Sequence, residues 1–186
     1  MVYAKKLFLV LVVSFFFYEV RAMNLLDKRD EINSFNEKWE FISDQVMGGV
    51  STGSLKLLEE DSKKFLRLQG SVSTQNNGGF IQFRSKFNFA ERNFKGLKLK
   101  IRGIPSKYYI HIRTQYTLLP WQYYSGEFVA SENWNEVKIM FKNFKKSNFY
   151  QPSEFHSSDI KSIGFVAFGK DFDAQLDVQE AMLIEH

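Results

Sequence analysis

The sequence predicts an all-β sandwich or barrel, and three observations carry that expectation. From Trp39 onward apolar residues recur with period two, not 3.6. The alternating runs are short and are parted by turn residues at regular spacing, which makes nine or ten strands. And 20 Phe with 8 Tyr in 186 residues suit half-buried pleated surfaces.

The elements follow in order. Residues 54–59 (S-L-K-L-L-E) and 64–68 (K-F-L-R-L) read as strands. Residues 97–101 put Leu97, Leu99 and Ile101 on one face, and 107–116 alternate Ile110 and Ile112 against His111, Arg113 and Gln115. Residues 136–141 set Val137, Ile139 and Phe141 against Glu136, Lys138 and Met140. Residues 163–168 (I-G-F-V-A-F) are apolar on both sides, as in a central strand, and 175–184 alternate again. Turn signals separate them at Gly48-Gly49, Asn76-Asn77-Gly78-Gly79, Gly103-Ile104-Pro105-Ser106 and Pro152-Ser153. Residues 24–39 alone read as helical or irregular; Trp39 and Trp134 read as core residues opening strands.

Upstream, Lys5 and Lys6 precede a nearly pure apolar run over 7–18, and Val20-Arg21-Ala22 offers a cleavage site. This is the pattern of a secretory signal peptide over 1–22, leaving one domain over 23–186 and a periplasmic or secreted location. A membrane span needs about 20 apolar residues to cross about 30 Å of hydrocarbon, and Glu19 ends this run too early. A transit peptide would be amphipathic and arginine-rich, which this run is not. The chain has no Cys, so disulfides, a thiol nucleophile, a lipidated cysteine and a cysteine-bound zinc are excluded. Net charge is +4, and half leaves with Lys5, Lys6 and Arg21 against Glu19. The remainder is too small for the basic stripe of a nucleic-acid binder; Lys142, Lys145 and Lys146 read as a solvated strand end.

Gly49-Val50-Ser51-Thr52-Gly53 matches the G-x-S-x-G of α/β-hydrolases, but that motif works on a strand–turn–helix, and here a strand follows. Asp44, beside these glycines, reads either as a turn cap or as an acid of a carboxylate pair. Asp171, Asp173 and Asp177 lack the Gly and terminal Glu of a calcium loop. No catalytic residue, metal or cofactor is therefore expected. A second constellation is polar and aromatic: if the strands share a sheet, Gln82, Arg84, His111, Arg113 and Gln115 share a face, with Trp121, Tyr123 and Tyr124 downstream as stacking surfaces. Rings beside long donors suit a sugar or an extended polar ligand; a solvated sheet face is the plain alternative.

Residues 39–53 read W-E-F-I-S-D-Q-V-M-G-G-V-S-T-G. This closely resembles the opening signature of the complex I intermediate-associated protein 30 family, W-x-x-x-x-D-x-V-M-G-G-x-S. Gly70-Ser71-Val72-Ser73 followed by Asn76-Asn77-Gly78-Gly79-Phe80 resembles a second block, and Gly96-Leu97, Leu99 and Arg102-Gly103 a third. Tyr109 to Arg113, Trp134-Asn135-Glu136-Val137 and Ser162-Ile163-Gly164-Phe165 align in kind. The resemblance implies a galactose-binding-domain-like jelly-roll β-sandwich without enzymatic activity. It makes the 44–51 loop (Asp44, Gln45, Met47, Gly48, Gly49, Ser51) and Asn77 candidate binding elements. Its name-giving members assist assembly of respiratory NADH:ubiquinone oxidoreductase on the side opposite to where a secretory leader leads. Where members often carry an arginine-glycine element after the Trp134 strand, this chain has Ser147-Asn148-Phe149-Tyr150-Gln151-Pro152.

The function expected is thus an exported assembly-factor-like domain binding a protein partner, a membrane-complex subunit among the options. The alternative is a carbohydrate-binding-module-like domain using Arg84, Arg113, Trp121 and Tyr123. A nucleic-acid partner is not expected, nor a membrane span once the leader is removed.

Overall fold

The computed structural model describes residues 23–26, 37–90 and 94–185. The leader over 1–22 lies outside these, as does most of the stretch read as helical or irregular; what is described of that stretch includes Asn24 in a short strand. In chain order the strands are β1 Met23–Asn24, β2 Glu40–Ser43, β3 Thr52–Glu60, β4 Lys63–Val72, β5 Phe80–Lys86, β6 Gly96–Gly103, β7 Ser106–Thr114, β8 Tyr124–Ala130, β9 Asn135–Met140, β10 Lys145–Lys146, β11 Ile160–Phe168 and β12 Phe172–Ile184. They form two antiparallel six-stranded sheets. The first runs β3-β4-β12-β6-β9, with β1 on β12; the second runs β10-β8-β7-β11-β5-β2.

Alternation decides which side chains meet. Leu68, Leu97, Leu99, Ile101, Leu176 and Val178 of the first sheet and Ile81, Phe83, Ile110, Ile112, Ile163 and Phe165 of the second are fully buried in one core. Phe83 and Phe165 stack at 4.7 Å, and Trp39 closes the end of the core edge-on to Phe83 at 5.3 Å. Truncating one such side chain to alanine costs about 2–5 kcal/mol. Because successive side chains alternate faces, this inward set fixes what points out. Trp134 is only half-buried, edge-on to Phe65 on the outside of the first sheet.

Two local features had no glycine or proline to announce them. The β3–β4 hairpin turns at Asp61 and Ser62, both with positive φ (50° and 59°), the backbone of a two-residue hairpin loop normally given to Asn or Gly. In β11 the register with β7 slips between Ile160 and Ser162, a bulge that leaves Lys161 as the extra residue. β7 ends at Thr114, so Gln115 leaves the sheet and its amide instead donates to Asp159 at 2.7 Å.

Candidate functional site

The signature loop is built around one carboxylate. After β2 the chain makes a single 3-10 turn, Asp44–Met47, and Asp44 is wholly buried. Its Oδ1 accepts the Ser51 amide at 2.9 Å, and its Oδ2 accepts the Ser51 hydroxyl at 2.5 Å and the amides of Gly79 at 2.6 Å and Phe80 at 3.2 Å. Burial alone raises its pKa, but the Ser51 hydroxyl and the amides of Gly79, Ser51 and Phe80 outweigh it and leave the carboxyl below its usual value. Asp44 therefore bolts the 44–51 loop to the 73–80 loop. Ser51 continues the bolt, its Oγ accepting the Ser73 amide at 2.9 Å. The Gln45 amide donates to the Ser51 carbonyl at 3.0 Å and that of Asn76 to Gly48 at 3.3 Å.

The glycines of this signature answer two different demands. Gly48 has φ +90°, which a side chain rarely adopts. Gly49 and Gly78 are there for close approach: a Cβ would lie 2.3 Å from Asp44 Cγ at Gly49 and 2.5 Å from Asp44 Oδ2 at Gly78. The positive φ of the turn thus falls on Gly48, while Gly49 is small because the carboxylate needs the room. Asn76 and Asn77 both take left-handed backbone, at φ 55° and 58°. Ser51 sits between a 3-10 turn and β3, not on a strand-to-helix turn, and its hydroxyl is bound on both sides. Val46, Met47 and Val50, by contrast, point outward, Val46 with 76% of its surface exposed.

The outer face of the second sheet holds the other group of sequence candidates. The ladders set Arg84 and His111 on either side of Gly164, and Gln82 and Tyr109 on either side of Val166. A Cβ on Gly164 would lie 2.8 Å from the Gln82 carbonyl oxygen, so the small residue lets Gln82 lie across the sheet. Tyr123, just before β8, stacks flat on His111 with centroids 3.9 Å apart and planes 9° apart. Phe168 meets His111 at 5.7 Å and Tyr109 at 5.9 Å, both edge-on. The result is an aromatic platform of Tyr109, His111, Tyr123 and Phe168. Burial pushes the His111 imidazole down to about 3, so it is neutral at ordinary pH, and its buried Nε2 has no hydrogen-bond partner.

Beside the platform lies a cleft of about 340 Å³ between the ends of β2, β5, β7 and β11. Arg84, Arg113, Lys161 and Ser162 line it; the bulge lets two successive residues of β11 reach the same space. Arg113 Nη2 donates to the carbonyls of Thr117 at 3.1 Å and Leu119 at 3.2 Å, which holds the β7–β8 loop, while its buried Nε has no partner. Among the described residues Arg84 makes no hydrogen bond or ion pair.

The sequence candidates thus divide into two places. Asp44, Gln45, Met47, Gly48, Gly49, Ser51 and Asn77 lie in the bolted loops; Arg84, Arg113 and Tyr123 share the outer face with Gln82 and His111. Trp121 does not join them: it stands 57% exposed on the β7–β8 loop, without a ring contact among the described residues. Arg113 proves a loop-positioning residue as well as a cleft residue, so removing it disturbs more than a ligand. Tyr109, Phe168 and Lys161 were missed. Alternation put Tyr109 on the right face, but Phe168 read as core and no sequence signal announces the bulge that presents Lys161.

Solved structures of similar fold include carbohydrate-binding modules. The family 11 module of the cellulosomal cellulase Lic26A-Cel5E of Clostridium thermocellum is 15% identical, covering 78% of this chain and 86% of its own, with a TM-score of 0.62. The Clostridium thermocellum family 11 module in complex with a β-1,3-1,4-mixed-linked tetrasaccharide is also 15% identical, covering 78% and 88%, with a TM-score of 0.61. A family 30 module is 12% identical over 90% of both chains, with a TM-score of 0.55. At these identities the likeness speaks for the jelly-roll fold alone. Among curated proteins none matches the sequence significantly. Residues 28–178 match the profile of complex I intermediate-associated protein 30 (CIA30), and the chain belongs to that family.

Proposed function

We propose that the protein is a non-catalytic, exported binding domain that recognises a polar glycan on the outer face of the second sheet. The observation that carries this is the platform beside the cleft: His111 stacked on Tyr123, next to Arg84, which has no partner among the described residues. Aromatic rings take the C–H faces of a sugar, while Gln82 and Arg84 orient hydroxyls. The solved complex of a family 11 module with a mixed-linked tetrasaccharide gives the reading a precedent in the same fold. The absence of a free nucleophile at Ser51 favours binding over hydrolysis. The test is affinity electrophoresis of the secreted domain through gels containing soluble polysaccharides. Retardation that Tyr123→Ala removes supports the reading; passage through every gel without retardation sinks it.

A second reading has its own observation. The signature loop turns its polar atoms inward and Val46, Met47 and Val50 outward. Such an apolar tip on a rigid base suits a protein partner, as the family's association with complex I intermediates suggests. Val46→Asp with Met47→Asp leaves the Asp44 bolt intact. Under this reading it abolishes co-purification of membrane-complex subunits from detergent-solubilised membranes; under the glycan reading it leaves polysaccharide binding unchanged. Export is checked by the N-terminal mass of the protein recovered outside the cytoplasm, where cleavage after Ala22 leaves Met23 first.

A further inference from the structure

Among the described residues the cleft beside the platform is lined by the cations Arg84, Arg113, Lys38, Lys86 and Lys161 and by the acids Glu37 and Glu40. Arg84 and Arg113 are two of these cations that form no ion pair among the described residues. Glu40 is the direct cross-strand neighbour of Arg84, yet the two form no ion pair. Arg113 is disfavoured in its charged form by burial first and by the charge of Arg84 second. Two guanidiniums that repel each other line one cavity, Arg113 with a buried unpartnered Nε and Arg84 with no hydrogen bond or ion pair among the described residues. Leaving such donors unmet is costly, because a buried polar group without a partner forfeits its hydration.

An oxyanion cures both defects at once. A planar guanidinium presents paired N–H groups matched to two oxygens, and charge-assisted bonds of this kind are short and strong. The Lys161 bulge and the Ser162 beside it add a cation and a hydroxyl from the floor of the same cleft. We propose that this cleft is an anion subsite that takes the carboxylate or sulfate group of an acidic glycan whose neighbouring sugar rings lie along the Tyr109–His111–Tyr123 platform. This assignment rests on the glycan reading above and narrows it to acidic polymers; the shared ligand chemistry is a multi-oxygen anion, from either a uronic acid or a sulfate ester.

The experiment has two parts. In the first, the secreted domain is run in affinity gels containing polygalacturonate or alginate (carboxylate), carrageenan (sulfate) or neutral mixed-linked β-glucan. Arg84→Gln and Lys161→Gln are compared with Lys100→Gln on the first sheet as a control. The expected result is retention by at least one acidic polymer, weakened by salt and lowered about tenfold by Arg84→Gln, the size of one charge-assisted bond. Retention by only the uronate gels or only carrageenan identifies the source of the anion. Equal retention by acidic and neutral polymers, untouched by Arg84→Gln, overturns the anion subsite and leaves the glycan reading standing. In the second part, inorganic sulfate and galacturonate monosaccharide are titrated while amide resonances are followed. Shifts at Arg84 and Ser162 that vanish in Arg84→Gln uphold the anion subsite even if no polymer is retained, in which case the glycan reading is what falls. No shifts and no retention overturn both. Arg84 makes no bond among the described residues, so an unchanged melting temperature is expected and shows that Arg84→Gln acts on binding and not on folding.

Discussion

Each sheet carries a pair of arginines on its outer face, and the two pairs live in opposite circumstances. On the first sheet Arg67 and Arg102 flank Asp177 directly across the ladders from either side. Asp177 accepts Arg67 Nε at 2.6 Å and Nη2 at 2.7 Å through its two oxygens, and Arg102 Nε at 2.8 Å. Arg102 also pairs with Glu60 and lies 4.5 Å over the Trp134 ring, with Phe65 beneath. Every charge in that group has an opposite neighbour, and the side-chain hydrogen bond to Asp177 heads the causes that raise the Arg67 pKa. On the second sheet no carboxylate stands beside either arginine on β11: Arg84 faces Gly164 and Arg113 faces Ser162. A completed network is structure. An uncompleted one, in a cleft and beside stacked rings, is where a ligand belongs.

The comparison can be broken by substitution, and the largest effect is expected on the completed side. Asp177→Ala strands two partly buried guanidiniums and should cost about 3–5 kcal/mol of stability, the usual result of removing one partner of a buried pair; chemical denaturation measures it. A loss under about 1 kcal/mol, typical of exposed pairs, would mean the network is only decoration.

Next comes the bolt. Asp44→Ala orphans the amides of Ser51, Gly79 and Phe80, for about 3 kcal/mol. Gly49→Ala should approach the same loss, because its Cβ would stand 2.3 Å from Asp44 Cγ. If Gly49→Ala melts like the unmutated domain, the close-approach account of that glycine is wrong.

The pH dependence separates the bolt from the platform. His111 is held at about 3 against an ordinary 6.5, so the unfolded chain binds its proton first. Its contribution is whole above 6.5 and drains away as pH falls toward 3. Asp44 is also depressed, so its contribution is whole above 3.8 and is lost only as pH falls through the lower folded value. The melting temperature should therefore decline in two stages. His111→Phe, which keeps a ring on Tyr123, should flatten the stage between pH 6.5 and 4 and leave the lower one; an unchanged slope in that window would refute the buried neutral imidazole.

The smallest expected effect sharpens the contrast most. Arg84→Ala should change stability by no more than about 0.5 kcal/mol, since the side chain makes no bond to lose, and relief of the repulsion on Arg113 makes a slight gain the natural direction. Arg113→Ala should do worse, because it frees the Thr117 and Leu119 carbonyls of the β7–β8 loop.

How much of this was legible beforehand depends on the range over which each property acts. Strand alternation is local, so the faces carrying Gln82, Arg84, His111 and Arg113 were readable once the strands were. The W-E-F-I-S-D-Q-V-M-G-G-V-S signature was readable as a motif, but its meaning was not. Asp44 acts on amides 35 and 36 residues away, and no spacing rule reaches that far. Gln115 was misplaced because β7 stops one residue short of it, and strand ends are set by what the neighbouring strand offers.

The sequence by itself determined the period-two pattern, the turns at Gly48-Gly49 and 76–79, the absence of disulfide chemistry and the kinship with CIA30 proteins, because each is written in the order of adjacent side chains. Tertiary structure alone decided that Asp44 is a bolt, that Asp177 is answered by two arginines while Arg84 and Arg113 are answered by none, and that a bulge turns Lys161 into their cleft. Those facts depend on which strands lie side by side and in what register, and pairing across a hundred residues is chosen by the burial of the whole core and not by any one segment.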